Sequence, residues 1–281
     1  MTRVRPWMLI AAVVVVVVLV GGIVVLVNGR WLPWNDATSC DLPASVRTGP
    51  TSDASDIRVA EQGFTQTPDY RVSIGAILWN TGKEIAYRTR VSFQPFGSDQ
   101  QPLAAPTVVE VPVLLPGARV GVGQDPQLTL GAHATSVRVV PSTTYRLPAG
   151  ALGSYQPVTA TGLRTTHPDP QFGGYVDIHY TDTSANCGPL ADGEAAVVYR
   201  DANGGVVGGA VNIPGSVIVY RDQHGVTVGG ETHLPVSQPC QRGTRDMWVT
   251  PDSDQPADAD PGRTAIYPYC GVPYGTPTSS P

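Results

Sequence analysis

Lysine is nearly missing from this chain: Lys83 is the only one, and arginine supplies the rest of its 18 basic residues. Against 23 acidic residues the formal charge is −5. No basic patch is visible, so an electrostatic grip on nucleic acid is excluded. Catalytic signatures are missing too. There is no Gly-x-Ser-x-Gly elbow, no His-Glu-x-x-His and no Gly-x-x-x-x-Gly-Lys phosphate loop. No Gly-x-Gly-x-x-Gly opens a helix, and the pairs Gly208-Gly209 and Gly229-Gly230 have no helix after them to bind an anion, so they are assigned to backbone structure. The five histidines are scattered, none at zinc-ligand spacing from a cysteine. No catalytic, cofactor or metal residue is therefore assigned, and the chain reads as a non-enzyme. Helical periodicity is absent beyond the N-terminus, and the 27 prolines and 31 glycines of the whole chain disfavour long helices there.

What is present begins with Trp7–Val27, 21 residues without a charge. At 1.5 Å per residue a helix of that length covers about 30 Å, the thickness of a hydrocarbon core. A valine-rich run also suits a buried strand, but no soluble strand is that long. Trp7, Trp31 and Trp34 flank the run where amphipathic rings favour the headgroup region. Arg3 and Arg5 precede it and only Arg30 closely follows, which keeps the N-terminus in the cytoplasm. A cleaved signal peptide is the rival, yet its apolar region is normally shorter and ends at small residues, unlike Asn28-Gly29-Arg30. Both alternatives export the remainder. Residues 1–30 hold three arginines and no acids, so the exported part has 15 basic and 23 acidic residues, a formal charge of −8.

Four cysteines, Cys40, Cys187, Cys240 and Cys270, all fall on the exported side, where disulfides persist. None forms a Cys-x-x-Cys pair, so disulfides are preferred to a metal site. Three connectivities exist. Pairing of a strand at Asp246–Thr250 with one at Thr264–Tyr269 in a final hairpin favours Cys240–Cys270, leaving Cys40–Cys187.

Period-two alternation dominates the exported part. Val72, Ile74, Ala76 and Leu78 alternate with Ser73, Gly75 and Ile77, and Tyr87, Thr89, Val91 and Phe93 alternate with Arg88, Arg90 and Ser92. Val176, Ile178 and Tyr180 alternate with Asp177, His179 and Thr181. Each predicts a half-buried strand. Asn80-Thr81-Gly82, Leu115-Pro116-Gly117, Asn203-Gly204-Gly205 and Ile213-Pro214-Gly215 read as turns between strands. The fold class is an all-β ectodomain: two tandem immunoglobulin-like antiparallel β-sandwiches after one N-terminal transmembrane helix. The expected division is 1–34 for the cytoplasmic N-terminus and anchor, 35–148 for the first sandwich, 149–162 for a linker, 163–272 for the second sandwich and 273–281 for a disordered tail.

An internal repeat stands out. Tyr-Arg-Asp-x-x-Gly-x-x-Val-Gly-Gly runs from Tyr199 to Gly209 and recurs 21 residues later from Tyr220 to Gly230. It describes a strand, a tight turn carrying Asp and Gly, and a returning strand. Asp201 and Asp222 are expected to hydrogen-bond their own turns. Together with Asn80-Thr81-Gly82, Tyr87–Phe93 and Leu115-Pro116-Gly117-Ala118, these hairpins resemble the extracellular FxLYD-type β-sandwich family over about half of each expected domain. The first domain departs from the pattern, with Gln94-Pro95-Phe96-Gly97 at the family's Tyr-Asp turn. The resemblance implies a membrane-attached sandwich and implies fold more than activity.

Asp252, Asp254, Asp258 and Asp260 form the one acidic cluster. Their spacing does not match an EF-hand loop and three prolines interrupt it, so a solvated hairpin tip is preferred to a Ca²⁺ site. An enzyme would need residues that spacing does not bring together, such as His167, Asp169 and His179. Trp248, Tyr267, Tyr269 and Tyr274 are the candidate binding surface, because Tyr and Trp favour interfaces. The expected role is a non-catalytic extracytoplasmic module, anchored through residues 7–27, that binds a cell-envelope protein or a wall component. A solute- or metal-binding role is the alternative.

Overall fold

A computed structural model of the chain describes residues 40–68, 70–166, 177–211, 240, 243–249 and 255–275. The expected membrane segment, the second copy of the repeat, Asp252, Asp254, His167 and Asp169 lie outside the described residues. The described residues from Asp41 onward cluster as one compact unit.

Among the described residues every regular element is a strand. The first half contributes β1 (Ser52–Asp53), β2 (Ile57–Gln66), β3 (Val72–Asn80), β4 (Ile85–Phe96), β5 (Thr107–Leu114), β6 (Arg119–Gln124) and β7 (Ser136–Leu147). The second contributes β8 (Thr159–Thr166), β9 (Asp177–Ser184), β10 (Ala191–Arg200), β11 (Val206–Val211), β12 (Gly243–Val249) and β13 (Ala265–Gly271). They form four antiparallel sheets, ordered β1-β7-β4-β5, β2-β3-β6, β11-β10-β13 and β12-β9-β8.

The alternation of each strand decides how the sheets stack. Val72, Ile74, Ala76 and Leu78 on β3 meet Val91 and Phe93 on β4 and Val109 and Val111 on β5 in one core. The opposite side of β3 is buried as well, because Ser73 and Gly75 face β11. Ser73 Oγ donates to the Gly209 carbonyl at 3.1 Å and accepts the Gly209 N–H at 2.9 Å. Thr65 Oγ1 donates to the Val207 carbonyl at 2.7 Å. The two backbones meet through Gly63, Gly75, Gly208 and Gly209, where a side chain on any of them would clash. β10 repeats the logic. Ala195, Val197 and Tyr199 face Ile178, Tyr180, Met247 and Val249 in a second core, while Ala196 joins the first. Two paired-sheet cores thus lie on either side of a glycine-lined seam.

A third cluster packs Tyr87, Leu147, Leu152, Val158, Leu190 and Val272 around the cysteines Cys240 and Cys270. Leu152 and Val158 fall inside the segment expected as a linker, yet they are buried, and β8 starts within it. Cys240 is bonded to Cys270, with Cα atoms 5.6 Å apart. Among the described residues the strand pairing from which that connectivity was expected is absent: β12 pairs β9 and β13 pairs β10. Cys40 and Cys187 are each disulfide-bonded, and no cysteine is free.

Two turns account for their motifs. Asn80, fully buried, donates to the Glu84 and Leu114 carbonyls at 2.9 Å and accepts the Gly82 N–H at 2.9 Å. This Asx turn fixes the end of β3 against β5. In the first copy of the repeat, Asp201 Oδ1 accepts the Asn203 and Gly205 N–H groups at 2.9 and 2.8 Å. Gly204 takes a φ of 89°, and the segment forms the β10–β11 hairpin.

Candidate functional site

Two features adjoin near the third cluster. The first comes from two bulges. Register shifts lie between Tyr87 and Arg90 on β4 and between Asp192 and Glu194 on β10. Each shift places a non-glycine residue in the left-handed region, Arg88 at φ 52° and Asp192 at φ 76°. Such conformations cost of order 1–3 kcal/mol and persist where the surroundings enforce them. Bulges re-aim side chains, and these two aim at each other: Arg88 Nη2 lies 3.2 Å from Asp192 Oδ1, while Nη1 ion-pairs with Glu110. The Arg88 guanidinium also covers the Tyr274 ring at 5.5 Å and the Tyr87 ring at 5.7 Å. Tyr274 in turn stacks on Tyr145 at 5.9 Å.

Burial pushes the Asp192 carboxyl above its ordinary value, opposed by Arg88 and reinforced by Glu110. It does the same to Glu194, helped by Asp192 and Glu110. Burial likewise raises the Tyr155 phenol, which donates to the Cys270 carbonyl at 2.7 Å.

The second feature is a cavity of about 300 Å³. Its wall includes residues of β5, β6, β8 and β13, each an edge strand of a different sheet. The lining is mainly apolar, through Val111, Leu114, Val120, Val158, Ile266 and Pro268 among others, with Tyr155, Tyr267 and Tyr269. Among the described residues of the wall, Arg119 is the one that carries a charge. Gly271 joins the two features, since a Cβ there would meet both Pro112 of the cavity wall and the Asp192 carboxylate.

The sequence-predicted aromatics separate. Tyr267 lines the cavity, and its phenol is raised by burial and lowered by Arg200. Tyr269 is 1% exposed, and its hydroxyl donates to the Gly121 carbonyl at 2.9 Å. It is a core residue rather than surface, because β13 is covered on that side by β6. Tyr274 belongs to the Arg88 cluster. Trp248 lies on β12 opposite His179, in another sheet. Asp260 holds its own turn, accepting the Gly262 N–H at 2.8 Å. Among the described residues no group of three or more His, Cys, Asp or Glu is placed to hold a metal ion.

Arg88, Asp192, Arg119 and Tyr155 carry no signal in the sequence that singles them out. Asp192-Gly193 reads as a turn dipeptide, and nothing local marks it as a bulge. No family model, curated protein or solved structure matches the chain.

Proposed function

We propose that the chain is a non-catalytic, single-pass membrane protein whose tandem immunoglobulin-like sandwiches lie outside the cytoplasm and bind a cell-envelope protein or wall component. The uncharged run at residues 7–27 supports the anchor. Oxidised cysteines support an exported location. The observation that carries the binding role is the interlock of Arg88 with Asp192. Two strained backbone positions are held so that a guanidinium sits over Tyr274 beside the Tyr145 ring. Arg and Tyr are the residues that carry binding energy at interfaces, and a partner ring or carboxylate can extend the stack.

A photo-crosslinking amino acid at position 274 tests this in intact cells. One discrete adduct, lost in Arg88→Ala, is expected. A smear of abundant neighbours that is unchanged in Arg88→Ala rejects the proposal.

A further inference from the structure

The cavity has a polarity that names its ligand. Apolar groups cover most of the wall, and among the described lining residues charge enters at one place, Arg119 on β6. Around Arg119 the ions are unbalanced. Glu61 pairs with Arg200 at 2.6 Å, and Arg119 reaches the same carboxylate only at 4.0 Å. Among the described residues, two guanidinium groups thus share one carboxylate at that end of the site. Arg119 is 56% exposed, and its guanidinium rests over the Trp79 ring at 5.3 Å, which holds it without neutralising it. Tyr267, a lining residue, feels both Arg200 and Glu61 and so adjoins this end.

The walls also say what the site does not take. Edge strands ordinarily invite an added peptide strand, but β5 carries Pro112 and β13 carries Pro268, both in the wall. Proline has no N–H to offer a ladder and is a recognised means of blunting an edge. A cation meets the wrong sign at Arg119. The volume stands at the small end of the range of about 300–1,000 Å³ for ligand pockets.

We propose that this cavity binds a small amphiphilic anion, an apolar chain or single ring bearing one carboxylate that pairs with Arg119. Guanidinium and carboxylate match as a two-pronged pair, and the body of the ligand replaces water against Val111, Val158 and Ile266. The site adjoins the Arg88–Tyr274 surface at Gly271 but uses none of its side chains, so either assignment can fail without the other.

The test uses the full chain in nanodiscs, with empty nanodiscs as blanks. Calorimetry compares hexanoate and 3-phenylpropionate with 1-hexanol and hexylamine. The acids are expected to bind more tightly than the alcohol, and the amine not at all. Arg119→Gln should weaken the acids at least ten-fold and leave the alcohol unchanged. Ala160→Phe, which fills the cavity, should remove both. Absence of acid binding, amine binding as tight as acid, or acid affinity unchanged in Arg119→Gln overturns the proposal. Arg119→Gln lies at the rim and decides the matter alone if Ala160→Phe does not fold.

Discussion

Replacing Gly75 with alanine adds one methyl group at the seam between β3 and β11. The new Cβ would overlap the Gly208 carbonyl oxygen, lie 2.6 Å from its carbon and 3.1 Å from a Val206 methyl. Ordinary contact starts at 3.4 Å, so relieving the carbon alone takes about 0.8 Å of separation and the nearer oxygen demands more. The Ser73–Gly209 hydrogen bonds, now 2.9 and 3.1 Å, would then stretch past useful range. Overpacking costs about 1–3 kcal/mol, and a buried group left without its partner about 1–3 kcal/mol more. The expected loss is about 2–6 kcal/mol, out of the roughly 5–15 kcal/mol that stabilises a typical protein. Urea unfolding followed by tryptophan fluorescence measures it. Gly49→Ala is the control, since nothing lies within 4 Å of its added Cβ. Ser73→Ala should cost about 1–3 kcal/mol. Because it removes hydrogen bonds that Gly75→Ala also breaks, the double variant should lose less than the sum. A Gly75→Ala loss within about 0.5 kcal/mol of zero, the range of surface changes, would refute the close approach of the two sheets.

Changing both Cys240 and Cys270 to Ser opens a loop spanning 30 residues and should cost about 2–4 kcal/mol by denaturant unfolding; an unchanged midpoint refutes it. Glu194 is held above its ordinary value, mainly by burial, so the folded chain binds that proton more tightly than the unfolded one. Stability from this group is present at low pH and is lost as pH rises through the raised value. Glu194→Gln should therefore be more stable than the wild type at pH 7, with the difference gone near the ordinary glutamate value of about 4.3; a difference constant from pH 7 to 4 refutes the assignment. Asn80→Ala removes three hydrogen bonds, one of them buried and two partly so, and should lower stability by about 2–4 kcal/mol in the same assay. A loss under about 0.5 kcal/mol would mean the Asx turn is held by its backbone alone.

Strand positions were legible where alternation was regular. Val72–Leu78 and Tyr87–Phe93 are strands, and Asp201 and Gly204 turn the hairpin as their types demand. The meaning of the small residues was not legible. Ser73 and Gly75 suggest a solvated face because small and polar side chains commonly face water. On β3 they mark the reverse, a second buried face on which another backbone lies. A sequence registers the size of a side chain but not what fills the space it leaves. The same limit hid the candidate site. Arg88 looked like the polar half of an alternation, and its contact with Asp192 requires bulges on strands 104 residues apart. Tyr269 looked like a surface aromatic because the strand covering it is β6, which is distant in sequence.

The seam and the cavity share one cause. Gly121 on β6 has no side chain, and the Tyr267 ring and a Val198 methyl occupy the space a Cβ would take. A larger residue there would push β13 away from β6 and carry Tyr267 out of the cavity wall. Gly123, the next residue on the same face of β6, makes the same kind of room for Ala210 of β11. Gly75 of β3 and the alternate glycines Gly121 and Gly123 of β6 therefore set how near the third sheet approaches the second. That approach places Arg200 within reach of Glu61, and so brings the second guanidinium to the Arg119 end of the cavity. The sign of charge offered to a ligand thus follows from backbone packing that carries no charge itself.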